Sequence, residues 1–301
     1  MFPSMKPPSV LVNDEEPEYE TKEPVSYRVE ENVAWVTLNR PRYFNAQNLQ
    51  LLYAIDDLFR RAVDDHTVKA IVLGGTGKHF SVGHDIGSPG RDFHKTFNRR
   101  DLLPDHTEKP GAEWMYTQEK DSFLGLCRRW NDIPKPTIAM VQGGCIAAGL
   151  MLAWTCDLII ASDDAFFQDP VAAMMGVPGV EYFAHAYELP SRVAKEFLLL
   201  GERMSAERAY QYGMVNRVVP RDELEATVKV IAEKLTAQSS MSLWLAKQAV
   251  NHADEVRGKR ATMDGVFHMH HLAHAHSLLT TGSPANNQDA KSMSRANKKN
   301  T

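Results

Sequence analysis

Short apolar segments separated by turn residues dominate the chain up to about residue 220, and helical periodicity takes over after that. Residues 25–29 and 33–38 read as two strands around Glu30-Glu31-Asn32, which predicts a hairpin. Arg40-Pro41 ends the second strand. Over residues 45–63, Leu49, Leu52, Ile55, Leu58, Phe59 and Ala62 fall on one helical face. Asp64-Asp65-His66-Thr67 then turns the chain into a strand over residues 68–73. A β–α–β succession predicts a parallel or mixed sheet.

Residues 87–120 are the least regular stretch, with Pro89, Gly90, Pro104, Pro110 and Gly111. Two readings stand for so long a connection: a solvated surface insertion, or a lid carrying Arg91, Arg99 or Trp114 over a substrate. A helix resumes over about 113–130, with Phe123, Leu126, Cys127 and Trp130 apolar. The run 137–141 is β-type and is broken by Gly143-Gly144; residues 146–154 are apolar on every face, which predicts a buried helix. Further strands are expected at 158–161, at Phe166-Phe167 and at 215–219. Helices are expected over 180–189, over 191–200 with Ser191 as cap, and from Ser205, whose hydroxyl suits an N-cap. Residues 221–279 are almost wholly helical in pattern, and the Ser-, Asn- and Lys-rich stretch from Thr280 reads as loose.

Composition narrows the classes. The chain has 301 residues, 43% of them hydrophobic, enough for a large core, and a formal net charge of −4 gives no reason to expect nucleic acid or an anionic membrane. Its three cysteines, Cys127, Cys145 and Cys156, lie in apolar surroundings and read as free thiols in a reducing compartment. Residues 1–24 read as a disordered tail rich in Pro and Glu, without a signal-peptide run, and no segment is apolar enough to span a bilayer. A cytoplasmic protein is the expectation.

Chemistry enters at two strand-to-helix turns. The buried helix over 146–154 opens on Ala and Gly, so its free N–H groups are uncovered and suit a negatively charged oxygen. Lys78-His79-Phe80-Ser81-Val82-Gly83-His84-Asp85-Ile86 follows another strand, and Gly83 permits a sharp turn. Two such turns converging on one oxygen make an oxyanion hole; close packing of small residues is the other reading.

Five motifs in order carry a resemblance. They are Leu38-Asn39-Arg40-Pro41 with Asn45-Ala46; Phe80 to Ile86; Lys135-Pro136 through Cys156-Asp157; Gly176-Val177-Pro178-Gly179; and Met204-Ser205-Ala206-Glu207-Arg208-Ala209 with Gly213 to Val219. Over about residues 25–280 the sequence resembles the crotonase, or enoyl-CoA hydratase/isomerase, superfamily. The resemblance implies an α/β fold: a ββα spiral core over 25–220 and a C-terminal helical region, 221–301, that builds a homotrimer or a dimer of trimers.

It also implies an acyl-CoA substrate and no cofactor beyond its CoA moiety. The oxyanion donors carried over are the backbone N–H groups of His84 and Ala148, the latter usually glycine in the family. The CoA contacts carried over are Arg42, Tyr43 and Phe44, with Ser81, Val82 and Ile86 around adenine and pantetheine. The two glutamates of the family's hydratases are replaced by Met151 and Val171, neither of which can move a proton. Candidate substitutes are Asp169, Glu181 and the His84 imidazole; the plainer readings are a turn residue, a helix-start carboxylate and a space-filling ring. Asp85 reads as a capping residue. Ser81, His84 and Asp85 are too close in sequence for a hydrolase triad, and a dinucleotide GxGxxG spacing is absent.

His268, His270, His271, His274 and His276 cluster near the C-terminus. His270 and His274, at i, i+4, or His271 and His274, at i, i+3, could share a metal on one helical face, but no carboxylate or Cys at metal spacing accompanies them; the resemblance places this helix at the trimer interface, which implies packing or hydrogen bonding there and no metal. The nearest label is an enoyl-CoA hydratase or isomerase. Isomerisation, hydrolysis, decarboxylation and non-catalytic CoA binding stand beside it.

Overall fold

A computed structural model describes residues 23–285. The sequence-expected N-terminal tail and the loose stretch past Ala285 lie, apart from Glu23 and Pro24, outside the described residues. In chain order the strands are β1 (Val25–Glu30), β2 (Val33–Leu38), β3 (Ala70–Gly75), β4 (Thr137–Val141), β5 (Gly144–Ile146), β6 (Leu158–Ser162), β7 (Phe166–Gln168), β8 (Met204–Ser205) and β9 (Arg217–Val219). The helices of the core are α1 (Leu49–Asp64), α2 (Ala112–Glu119), α3 (Leu126–Asn131), α4 (Ala148–Trp154), α5 (Val171–Met175), α6 (His185–Glu188), α7 (Ser191–Leu200) and α8 (Ala206–Gln211). Three longer ones follow: α9 (Leu224–Thr236), α10 (Ser240–Val256) and α11 (Lys259–Thr281).

The main sheet runs β1-β2-β3-β4-β6-β9, with β1 antiparallel to β2 and every later pair parallel. Its inner strands β2, β3, β4 and β6 are apolar on both faces, and both faces are covered there. Ala34, Val36, Leu38, Ile71, Leu73, Ala139 and Val141 enter the large core shared with α1, α3 and α4. Their neighbours Val33, Trp35, Val72, Ile138 and Ile160 point the other way, onto Leu224, Val228, Ile231 and Ala232 of α9. A second small sheet, β5-β7-β8, stands beside it.

Several expected boundaries shift, each for a local reason. Helix α1 starts at Leu49 instead of residue 45, because Phe44 and Asn45 take φ of 53° and 56° and the Asn48 side chain accepts the Leu51 N–H. Asn45 ties the loops together: its Oδ1 accepts from Arg40 N, and its Nδ2 reaches the carbonyls of Thr76, His79 and Phe80. Helix α4 starts at Ala148 instead of 146, because residues 144–146 pair with β7. Only His185–Glu188 of the expected 180–189 helix is helical. Ser191 is the first helical residue after Pro190 and forms no cap, whereas Ser205 accepts the Arg208 N–H as expected. A π-helical turn, Lys120–Gly125, joins α2 to α3.

Glu188 gives a pH-dependent prediction. Burial pushes its carboxyl up to about 7, above Asp254's smaller contribution and against the pull of Lys259. A raised folded value means that stability present below the unfolded value, about 4.3, is lost as pH rises through about 7. Glu188→Gln removes that loss. Thermal melts at about pH 8 are expected to rise by about 2–5 °C over the parent, with little difference below about pH 4; a lower melting point at the higher pH contradicts the assignment.

Candidate active site

Parallel pairing of β3 with β4 sends the two following turns out at the same edge of the sheet. Ser81 and Cys145 form a parallel bridge, in which Ser81 N donates to Gly144 O at 3.2 Å and Ile146 N to Ser81 O at 2.9 Å. Two glycines permit the approach. At Gly83, where φ is +95°, a Cβ would lie 3.0 Å from Ile146 O and 3.1 Å from Ala148 N; at Gly149 it would collide with Ser81 O. Ala147 turns the chain into α4 with φ 49° and ψ −121°, a strained region for a residue with a side chain. Among the described residues, no hydrogen bond occupies the backbone N–H of His84 or of Ala148, and both residues line one cavity.

A buried ion pair fixes the first turn. Arg40 Nη2 lies 2.8 Å from Asp85 Oδ2, with both side chains almost wholly enclosed. Arg40 also donates to Ala46 O and, at 3.0 Å, to Ser88 Oγ, while Asp85 accepts the Ser88 N–H at 2.8 Å. Asp85 is therefore the counter-ion of Arg40 and not a helix cap. It locks residues 84–88 to the loop after β2.

The cavity has a volume of about 930 Å³. Ile86, Phe93, Trp114, Met115 and Phe123 supply apolar wall, so the connection over 87–120 forms part of the site. Of its three candidate lid residues only Trp114 lines the cavity. Exposed cations Arg42, Lys78 and Arg203 also border it. Burial holds the His79 ring below its usual pKa, and Lys78, Arg203 and Arg221 add to that, as expected where positive charge accumulates.

Ionisable groups gather on the same cavity. His84 Nε2 is 3.2 Å from Glu181 Oε2, and its ring stacks on Phe123 with centroids 3.8 Å apart. Glu181 is 6% exposed. Burial alone would raise its pKa, but His84 and then His270 outweigh it and hold the carboxyl well below the usual range. It is thus a carboxylate, with the form of a proton acceptor. His270, His274 and Glu119 complete the set.

Most residues singled out from sequence meet here: Arg42, Tyr43, Phe44, Val82, His84, Ile86, Ala148 and Glu181 all line the cavity. Two do not. Asp169 is fully buried outside the lining, its carboxylate 2.8 Å from His185 Nε2 and accepting from Val171 N and Val180 N. Those bonds make it a brace for the turn that carries Glu181. Ser81 is also fully buried and off the cavity, its hydroxyl donating to Asn45 O and accepting from Gln47 Nε2. At the two positions of the missing glutamates, Val171 lines the cavity and Met151 is buried without lining it.

Glu119 went unread in the sequence. It stands one helical turn before Phe123, on the apolar stripe that continues to Trp130, and a carboxylate on such a stripe is the signal that could have found it. The histidines divide. His270 and His274 face the cavity, His271 lies 3.2 Å from Glu119, His268 stacks on Tyr116, and His276 is exposed. The buried members pack within this chain.

A sequence profile of the enoyl-CoA hydratase/isomerase family matches residues 28–285. The chain belongs to that family. EchA13 of Mycobacterium tuberculosis, which carries an enoyl-CoA hydratase name, is 38% identical over 258 residues, covering 83% of this chain and 80% of its own length. (E)-benzylidenesuccinyl-CoA hydratase of Thauera aromatica is 32% identical over 254 residues, covering 83% and 89%. The crystal structure of a probable enoyl-CoA hydratase from Mycobacterium smegmatis superposes with a TM-score of 0.79 at 43% identity, covering 88% of this chain and 99% of that one. The expected crotonase fold, a mixed α/β core with a C-terminal helical region, is thereby established. Among the described residues no helix is long and apolar enough to cross a membrane.

Proposed function

We propose that this chain transforms an acyl-CoA by stabilising a thioester enolate, with enoyl-CoA hydration or isomerisation as the reaction. The backbone N–H groups of His84 and Ala148 receive the thioester oxygen as negative charge builds there. Two donors already aimed at that oxygen lower the barrier by about 3–4 kcal/mol each. Glu181 moves the proton. The observation that carries the reading is the buried Glu181 carboxyl group, 3.2 Å from the His84 ring, on the same cavity as both amides. His84 holds the carboxylate in place and shares its proton. This dyad stands in for the absent carboxylates at positions 151 and 171.

The exposed cations Arg42, Lys78 and Arg203 suit the phosphates of CoA, and Tyr43, Phe44, Val82 and Ile86 suit its adenine and pantetheine. Arg203→Ala is expected to raise KM for an acyl-CoA by about 5- to 30-fold with kcat nearly unchanged, because a phosphate contact is uniform in ground and transition states. A fall in kcat with KM constant contradicts that role. Exposed Met241, Trp244, Leu245, Val250, Met269 and Leu272 on α10 and α11 fit a homotrimer or a dimer of trimers.

Turnover of crotonyl-CoA and of longer and aryl-substituted enoyl-CoAs by the purified protein tests the reading. Loss of enoyl absorbance with formation of the 3-hydroxyacyl-CoA identifies hydration, and a moved double bond identifies isomerisation. Tight CoA-thioester binding with no product from any member of the panel leaves a binding protein and ends the proposal.

A further inference from the structure

The two buried histidines of α11 pose a problem of protons. His270 Nδ1 lies 2.9 Å from Gly179 O, and His274 Nδ1 lies 2.8 Å from Pro284 O. A carbonyl oxygen only accepts, so both Nδ1 atoms carry hydrogen. In a neutral imidazole the other nitrogen is then a bare lone pair. Those two nitrogens, His270 Nε2 and His274 Nε2, face each other at 2.9 Å. Two lone pairs at that distance repel unless a cation, either a proton or a metal ion, lies between them.

The surroundings specify which. Glu119 Oε2 is 3.9 Å from His270 Nε2, and Glu181 Oε1 is 3.5 Å from the same atom on another side. Glu119 is 8% exposed, and its Oε2 forms no hydrogen bond among the described residues, although His271 Nε2 stands 3.2 Å away at ion-pair distance. The ligand atoms of Glu119, His270 and His274 all fall within 4.8 Å of one another. Two histidines i, i+4 on one helix with a glutamate from another segment form a set that binds zinc and leaves a fourth position open. A backbone carbonyl on the far ring nitrogen is the usual partner of a ligating histidine, fixing its tautomer. Nitrogen donors disfavour magnesium and calcium.

We propose that Glu119, His270 and His274 bind one divalent transition ion of the zinc class, open to the acyl-CoA cavity. The inference is independent of the reaction assigned above. At metal–nitrogen distances of about 2.0–2.1 Å in tetrahedral geometry the two Nε2 atoms part to about 3.3 Å, a shift of a few tenths of an ångström. The ion balances the charge of Glu119 and Glu181, two buried carboxyl groups that both approach His270 Nε2. The sequence expectation of no metal rested on the lack of a nearby carboxylate; the fold brings Glu119 in from about 150 residues away.

The test uses untagged full-length protein, stripped by a chelator and titrated with Zn²⁺ by calorimetry and with Co²⁺ by visible absorption. One ion per chain is expected, at micromolar or tighter Kd, with intense d–d bands of a four- or five-coordinate site. His270→Ala, His274→Ala and Glu119→Gln each weaken binding by about 100-fold or more, whereas His268→Ala with His276→Ala leaves it unchanged. Circular dichroism confirms that each variant is folded; should the alanine variants fail to fold, His270→Gln and His274→Gln replace them. Failure of the parent protein to bind either ion stoichiometrically overturns the proposal. So does binding that survives all three ligand changes. Nitrogen-15 NMR in the metal-free protein that finds a proton between the two Nε2 atoms, undisturbed by added Zn²⁺, overturns it as well.

Discussion

Glutamine at position 181 lowers kcat by about 10²- to 10⁴-fold on any enoyl-CoA that the parent enzyme turns over. The substitution keeps the volume and can still meet the His84 ring, so the cavity wall keeps its shape, while the stability that the carboxylate draws from His84 and His270 is lost and the melting temperature falls. What it removes is the capacity to take a proton. KM is expected to stay within about threefold, because a group that acts in the transition state contributes little to ground-state binding. His84→Ala tests the partner and is expected to cost less, since the carboxylate remains beside His270 at 3.5 Å. A Glu181→Gln enzyme with kcat within about threefold of the parent would make the carboxylate a structural group, and the proton would have to be assigned elsewhere.

Asp85→Ala is expected to destabilise the fold by about 3–5 kcal/mol, because it strands the Arg40 guanidinium in a fully enclosed site. At this chain length that corresponds to a fall in Tm of about 10 °C. The loss arises from the uncompensated charge more than from the missing contact. A double change, Arg40→Met with Asp85→Asn, should therefore recover most of it, since no ion is then left without its counter-ion. Catalysis should not recover with it. The Arg40–Asp85 pair and Ser88 position the turn that aims the His84 N–H, and a looser turn weakens the grip on the thioester oxygen. Chemical denaturation and kcat measured on the same three proteins separate the two effects. Equal stability of Asp85→Ala and the parent would refute the argument.

The sequence carried the core of the fold because strand burial on both faces and helix periodicity both leave local marks. Val33 to Leu38 and Thr137 to Val141 read as strands from their residues alone and are strands. It missed where tertiary contacts override local pattern. Ile146 looks like the first residue of the helix that follows, yet it and residues 144–145 pair with β7. Asn45 looks like a helix start, yet its side chain is consumed by four backbone groups of neighbouring loops.

The site was legible in the same uneven way. His84 and Glu181 could be named because each follows a glycine-bearing turn, and their meeting across 97 positions needed only those turns to face each other. Asp169 looked equally able to move a proton, but the partner that occupies it, His185, is visible only once the chain is folded. Glu119 was hidden because its partners lie on α11, about 150 residues away, and no local spacing records that distance.

The π-helical turn at Lys120–Gly125 gives the cavity wall an unusual sensitivity. Such a turn holds one residue more than regular α-helix needs to span the same rise. Deleting a single residue there would let the backbone relax into an ordinary helix with no gap in its hydrogen bonding, while rotating everything upstream by about 100°. Trp114, Gln118 and Glu119 would all swing off the cavity together, with every one of them still present in the chain. The site would thus lose this carboxylate by a one-codon change in helix phase, without substitution at position 119.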